Sequence, residues 1–301
     1  MAGMVYDGSG SRVVQHKGDI ADTVYNIDPD WTPILTMVRK RTVVDPNPKV
    51  VTDSLASVDT SNYLAENAVA PSASDTTRAL VENWCQIFGV TATATDTMNA
   101  VAQYGISKEQ LYQEAKKMRE LARDIEASCL SDQSSQAPTA ANSRVAKQNG
   151  MTTIISSNTD AVGDFNQANF DTLVAAAVED GGNPSVAYMD YTRKAAVVSW
   201  STGVVTRYIT DARQMISNVN YYESPMGKNI HLVWHYLMPQ DFSSDGAHCM
   251  CLDPDLWELL TLRNNGLRRV KVAKTGLSNS TLLTGQLCIF CHVEDGNFTF
   301  Y

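Results

Sequence analysis

The sequence lacks any apolar run approaching the roughly 18–20 residues that a membrane-spanning helix needs. Its N-terminal stretch, MAGMVYDGSGSRVVQHKGD, has no apolar h-region. No secretory signal is therefore expected, and the product is expected to stay in a reducing cytoplasm. Basic residues are the minority: 24 Lys and Arg stand against 33 Asp and Glu, a formal net charge of −9. That balance argues against a surface built to grip nucleic acid, which relies on clustered cations. It leaves room for a protein that surrounds nucleic acid without adhering to it. A Gly-rich phosphate loop, G-x-S-x-G, H-E-x-x-H and internal repeats are all missing. The carboxylates are scattered, and no nucleophile–base pair stands out, which weighs against an enzyme.

Six cysteines are present, and in a reducing compartment they read as buried thiols before disulfides. Cys288, Cys291 and His292 fit the C-x-x-C-H pattern of haem attachment. However, residues 282–293 are rich in Leu, Ile, Phe and Val and end at an EDG turn signal, as a strand would. On a strand Cys288 and Cys291 point to opposite faces, whereas haem or a metal needs both sulfurs on one side. His248, Cys249 and Cys251 are a second candidate group. They too read as a strand, and C-x-C is not the usual zinc-knuckle spacing. His231 and His235 could share a strand face but supply only two ligands. A metal- or haem-binding redox protein stays an alternative. The plainer reading is thiols inside a sheet, with no catalytic, cofactor or metal residue and no cofactor.

Along the chain, residues 1–18 read as a mobile polar arm. Asp19 can cap a short helix over residues 20–27, which Pro29 and Pro33 break before an apolar ILTMV turn. Residues 42–101 look extended. KVVTDSLASV and RALVENWCQIFGVTATATDTM form two long strands of a hairpin around a polar tip, NYLAENAVAPSASDTT. With little to bury on itself, that hairpin is marginal alone and needs another surface. Residues 107–130 carry a helical stripe of Leu111, Ala115, Met118, Ala122, Ile125 and Cys129, opened by a Ser107–Gln110 capping box. The opposite face, with Lys116, Lys117, Arg119, Glu120, Arg123 and Asp124, reads as a solvated face of offset ion pairs, or one turned toward a polyanion or a neighbouring subunit. Residues 131–150 form a polar loop. A helix over about 168–180 ends at GGNP, a strand SVAYMD follows, and Asp190 caps a helix through Trp200. Residues 204–252 are mostly strand, with a turn at Pro225-Met226-Gly227. Asp253 and Pro254 start a short helix before the long closing strand. The class is α+β.

Arm, hairpin, long helix, α/β layer and closing strand, in that order, resemble the major capsid proteins of tailed bacteriophages, the Hong Kong 97-like fold. GDIADTVYNIDPDWTPILTMVRK, QEAKKMRELARDIEASCLS, YYESPMGKNIHLVWHYLMP and LDPDLWELLTLR with the later VAKTG are similar to the branch of phage SU-ten. Leu277 and the EDGNFTFY end depart from that branch, and residues 131–148 and 203–220 match nothing in it. The resemblance implies an N-terminal arm (1–45), an extended E-loop hairpin (46–101), and a peripheral domain (102–158) with its spine helix at 107–130. An axial α/β domain (159–262) and a return to the peripheral domain (263–301) complete the division. It further implies a non-enzymatic shell protein, assembling in the bacterial host cytoplasm into pentamers and hexamers of an icosahedral virion. The shell would enclose double-stranded DNA without sequence-specific binding, touch no membrane, and meet a portal and scaffolding or decoration proteins. The isopeptide crosslink of some relatives does not transfer, because no motif places Lys49, the only hairpin lysine. An encapsulin-like nanocompartment shell is the nearest alternative.

Overall fold

The computed structural model describes residues 31–72, 78–101, 106, 108–160, 165–200, 220–238, 248–274 and 276–301. The expected helix over residues 20–27, Ser107 of the capping box and nearly all of residues 203–220 lie outside them. In chain order the helices are α1 (Pro33–Met37), α2 (Asp96–Ala100), α3 (Glu109–Leu130), α4 (Met151–Ile154), α5 (Gln167–Glu179) and α6 (Tyr191–Trp200). The first strands are β1 (Arg39–Val43), β2 (Lys49–Thr52), β3 (Ala79–Glu82), β4 (Gln86–Thr95), β5 (Thr159–Asp160) and β6 (Val186–Met189). There follow β7 (Tyr221–Glu223), β8 (Asn229–Trp234), β9 (Cys249–Leu252), β10 (Trp257–Leu262), β11 (Arg268–Lys271), β12 (Ser278–Cys291) and β13 (Phe298–Phe300).

β12 organises the first sheet. One edge runs antiparallel to β4, from Ser278 opposite Thr95 to Leu287 opposite Gln86. The other edge takes β11 and then β10, and β1 closes parallel on β10. Exposure alternates along residues 281–287 of β12, then burial becomes continuous through Cys291. Alternation is what a strand covered on one face shows, and continuous burial marks cover on both. α3 supplies the cover: Leu121, Ile125 and Cys129 share a core with Phe88, Trp257, Leu283, Leu287 and Ile289. The second sheet has the order β5-β13-β9-β6-β8-β7. Phe170, Val174 and Ala177 of α5 and Val197 of α6 bury its Ala187, Met189, Ile230, Leu232 and Phe298.

Local signals land where the sequence places them. α5 stops at Gly181, whose φ of +90° is left-handed. Its N–H reaches Val178 O at 3.0 Å, and the Gly182 N–H reaches Ala177 O at 2.9 Å, closing the last turn. Asp190 accepts the Arg193 N–H at 2.6 Å and so caps α6.

Four features differ from expectation. First, Leu111, Ala115 and Met118 of α3 are exposed, and the buried face instead carries Glu114, Leu121, Ile125, Glu126, Cys129 and Leu130. The reason is the polar floor beneath the first turns. Glu114 accepts Thr281 Oγ1 at 2.7 Å, Gln110 Nε2 at 3.1 Å and Arg269 Nη1 at 2.7 Å. Burial opposes ionisation there, but these hydrogen bonds and the charges of Arg269 and Lys271 outweigh it and hold the carboxyl below its usual range. Second, the Gln110 N–H finds its partner on another helix, donating to Asn99 Oδ1 of α2 at 3.1 Å. Third, the hairpin ladder is short. Among the described residues only Lys49–Thr52 and Ala79–Glu82 form its ladder, and β4 leaves for β12, because its Phe88, Ala92 and Ala94 face inward and are buried. Fourth, Asp253 does cap a turn, accepting the Asp255 N–H, but that turn is a single 3₁₀ turn. The chain then extends as β10, because pairing with β12 buries Trp257, Leu259 and Leu260 together.

Candidate functional site

The cysteine and histidine groups are dispersed. Cys288 packs with Cys85, Leu260 and Phe290, whereas Cys291 belongs to the core under α3. The two sulfurs of the C-x-x-C-H match therefore lie on opposite faces of β12. His292 sits 3.4 Å from Glu258, and Cys291 donates its S–H to Val293 O at 3.1 Å. Cys249 and Cys251 are buried against α5 and the second sheet. Burial pushes their thiols well up, away from the thiolate a metal needs. His248 is buried beside them, its backbone N–H bonded to Phe300 O. His231 stacks on Tyr221, with ring centroids 4.9 Å apart, while His235 lies beyond the end of β8 and is buried. Among the described residues, no group of three or more His, Cys, Asp or Glu is placed to hold a metal ion.

What the chain presents outward is a ribbon. Residues 53–72 are exposed without exception. Leu55 is 98% exposed, Val69 90% and Tyr63 82%, so these apolar side chains have no cover from their own chain. A two-stranded sheet of this length is marginal in water unless another surface covers it. Ion pairs steady the ribbon near its base: Lys49 with Glu82 at 2.9 Å, and Arg78 with Asp53 at 3.1 Å. Hydrogen bonds from Lys49 and then Asn47 hold the Glu82 carboxyl below its ordinary value. A second apolar strip lies on α3, where Leu111 and Met118 are open. The charged flank of α3 is a solvated face in part: Lys117 pairs with Glu120, and the Arg123 guanidinium lies 6.0 Å from the centre of the Tyr236 ring.

The base from which the ribbon projects is fixed by buried polar groups. Glu126 of α3 accepts the Ile34 N–H at 2.8 Å, the Leu35 N–H at 3.0 Å and His235 Nε2 at 3.0 Å. One carboxylate thus ties α1, α3 and the segment after β8 together. Ahead of Gln86, where β4 begins, two side chains take over the hydrogen bonds to β12. Gln148 accepts the Ile289 N–H at 2.9 Å, and Asn83 donates to Ile289 O. Sequence reasoning missed Glu114, Glu126, Asn83 and Gln148, because isolated polar residues read as solvent-facing and neither glutamate falls on the apolar stripe of the helix. A cavity of about 490 Å³ at the start of α3 is lined by Lys108, Gln110, Glu114, Arg269 and Lys271. Glu114 and Arg269 pair with each other across it.

The chain is a two-sheet body with an uncovered ribbon, and comparison with known proteins places it. A major capsid protein of Escherichia phage Phieco32 is 31% identical over 128 residues, which span 42% of this chain and 35% of that protein. The match therefore covers about a third of the relative's length. The capsid of a native GTA particle, computed with C5 symmetry, superposes with a TM-score of 0.70 at 13% identity, covering 99% of both chains. The SrpI encapsulin of Synechococcus elongatus superposes at 0.61 and 9% identity, covering 99% of this chain and 95% of that one. At such identities the superpositions establish the fold alone, and phage heads and encapsulins share it. The sequence family separates them: the SU10 major capsid protein model matches residues 6–300, and the chain belongs to that family.

Proposed function

We propose that this chain is the major head protein of a tailed bacteriophage, and that its copies close into pentamers and hexamers tiling an icosahedral shell around double-stranded DNA. The observation that carries the reading is the ribbon of residues 53–72, exposed along its whole length and rich in uncovered apolar groups. Heterologous contacts, one copy's ribbon on the next copy's body, generate closed rings when the rotation closes. Each contact buries apolar area at roughly 25 cal/mol per Å², so modest contacts repeated around a shell sum to large stability. The exposed Leu111 and Met118 of α3 offer a matching apolar strip on the neighbour. A net charge of −9 suits a lining that does not trap its DNA.

The working parts follow the sheets. Residues 1–45 serve as arm and 46–101 carry the E-loop hairpin. α3 and the five-stranded sheet act as the peripheral domain. The six-stranded sheet with α5 and α6 acts as the axial domain around the symmetry axes. Sheet membership cuts across these ranges, since β1, β4 and β10 join the five-stranded sheet and β13 the six-stranded one. A portal and scaffolding or decoration proteins are the expected partners, and the virion is the destination.

The test is direct. The purified chain, concentrated and imaged by electron microscopy, gives closed shells; a monomer that persists at high concentration overturns the reading. Removing residues 58–77 leaves a soluble folded subunit that builds no stable shell. Normal shells from that deletion would remove the hairpin from its assigned role. A nanocompartment reading has the fold in its favour, and shells isolated from infected cells with a protein cargo in place of DNA would select it.

A further inference from the structure

We propose that Cys85 and Cys288 are a disulfide-forming pair, closed by a peroxide once reducing conditions are lost, and that the bond pins the root of the projecting hairpin to β12. The two sulfurs lie 3.3 Å apart, and both side chains are buried. The β4–β12 ladder ends with Gln86 opposite Leu287, the chain neighbours of the two cysteines. Closing a disulfide of about 2.05 Å asks the two sulfurs to approach by only about 1.2 Å. The other four cysteines are engaged elsewhere. Cys129 faces the Gln148 amide, Cys291 donates to Val293 O, and Cys249 and Cys251 sit in the second core.

The pair sits where the hairpin meets the body. The Cys85 N–H donates to Pro46 O at 2.8 Å, joining the two roots of the hairpin. Val50 and Val81 of its short ladder pack on the same cluster as both cysteines. Either sulfur can donate to the other in this contact, and a thiolate on one is supported by the S–H of its partner. That thiolate attacks one oxygen of hydrogen peroxide. The O–O bond breaks, and hydroxide leaves and takes the released thiol proton as water, giving a sulfenic acid. The second cysteine attacks that sulfur, the S–O bond breaks, and a second water leaves with its proton. Two electrons pass from the two thiols to the peroxide.

The bond would join residues 203 positions apart and hold the root of the hairpin against β12. Its formation is independent of the shell reading; only its effect on a shell rests on that reading. The test exposes the full-length protein to hydrogen peroxide, alkylates the remaining thiols under denaturing conditions and maps peptides by mass spectrometry. A peptide joining Cys85 to Cys288, lighter by two hydrogen atoms, is expected, with the chain at monomer mass on a non-reducing gel. The melting temperature rises and falls back with dithiothreitol. Met98 and Met226, both 46% exposed, report that the peroxide has acted. Cys85 and Cys288 separately alkylated after both methionines are oxidised would overturn the proposal, and so would linkage between chains only. Cys85→Ala should abolish both the linked peptide and the peroxide-dependent rise in melting temperature; a rise retained in that variant also overturns it. Should that variant not fold, the wild-type peptide map decides alone.

Discussion

His235 and Glu126, 109 positions apart, meet in the interior with Nε2 3.0 Å from Oε1. The Leu237 N–H donates to His235 Nδ1 at 3.1 Å, so Nδ1 is the acceptor nitrogen and Nε2 carries the proton given to Glu126. Two further donors, the Ile34 and Leu35 N–H groups, complete the carboxylate's partners. The segment entering from the arm, the long helix and the end of β8 therefore share one acceptor. Glu126→Ala leaves three donors without it, two of them buried, and should cost about 3 kcal/mol or more. Glu126→Gln keeps one acceptor oxygen and should cost less. Urea unfolding of dissociated subunits measures both.

Alkaline conditions should destabilise the subunit through its buried thiols. Burial pushes Cys129 and Cys291 to about 12. An unfolded thiol ionises near ~8.5. The folded values lie above the unfolded ones, so this stabilisation is fully present below about pH 8.5 and is lost as pH rises toward 12. Each such thiol steepens the loss by at most about 1.4 kcal/mol per pH unit. Cys129→Ala should lower stability at neutral pH yet flatten the decline between pH ~9 and ~10. Urea unfolding at several pH values under reductant reads the slope, and an unchanged slope would contradict this account.

Two adjacent glycines should behave differently. A Cβ on Gly182 would stand 2.3 Å from Gly296 Cα, where two backbones cross. Gly182→Ala should therefore cost about 1–3 kcal/mol, the usual range for forced overpacking. Gly181 meets nothing within 4 Å and needs only its left-handed φ, so Gly181→Ala should cost about 1 kcal/mol and Gly181→Asn less. Thermal melts of the two variants rank them.

Charge placed on the ribbon should separate folding from assembly. Leu55 and Val69 touch nothing of their own chain that a change could break, being 98% and 90% exposed. Leu55→Asp and Val69→Asp should leave subunit stability within about 0.5 kcal/mol. Shell yield, measured by sedimentation, should fall sharply in both.

Local chemistry in this chain is legible from sequence; partner choice is not. The stop at Gly181–Gly182, the caps at Asp190 and Asp253, and the opposed faces of Cys288 and Cys291 each depend on a few neighbouring residues. Those rules hold wherever the segment ends up. β4 shows the other case. Neighbourhood in the chain assigns it to the hairpin, yet Thr93 bonds Ser280 at 3.0 Å, 187 positions away. Alternating Ala and Thr say that one face is buried but not against what. α3 fails similarly in its first half. Periodicity counts apolar residues, and there the buried position is Glu114, whose partners Thr281 and Arg269 arrive from distant strands. The exposed ribbon was readable because its signal is a lack: no period and little to bury.

Amide hydrogen exchange of residues 53–72, compared between dissociated subunits and assembled shells, tests the central claim most directly. The account predicts rapid exchange in the subunit, where these residues are exposed throughout, and strong protection in the shell, where an adjoining copy covers them. Equal exchange in the two states would contradict it.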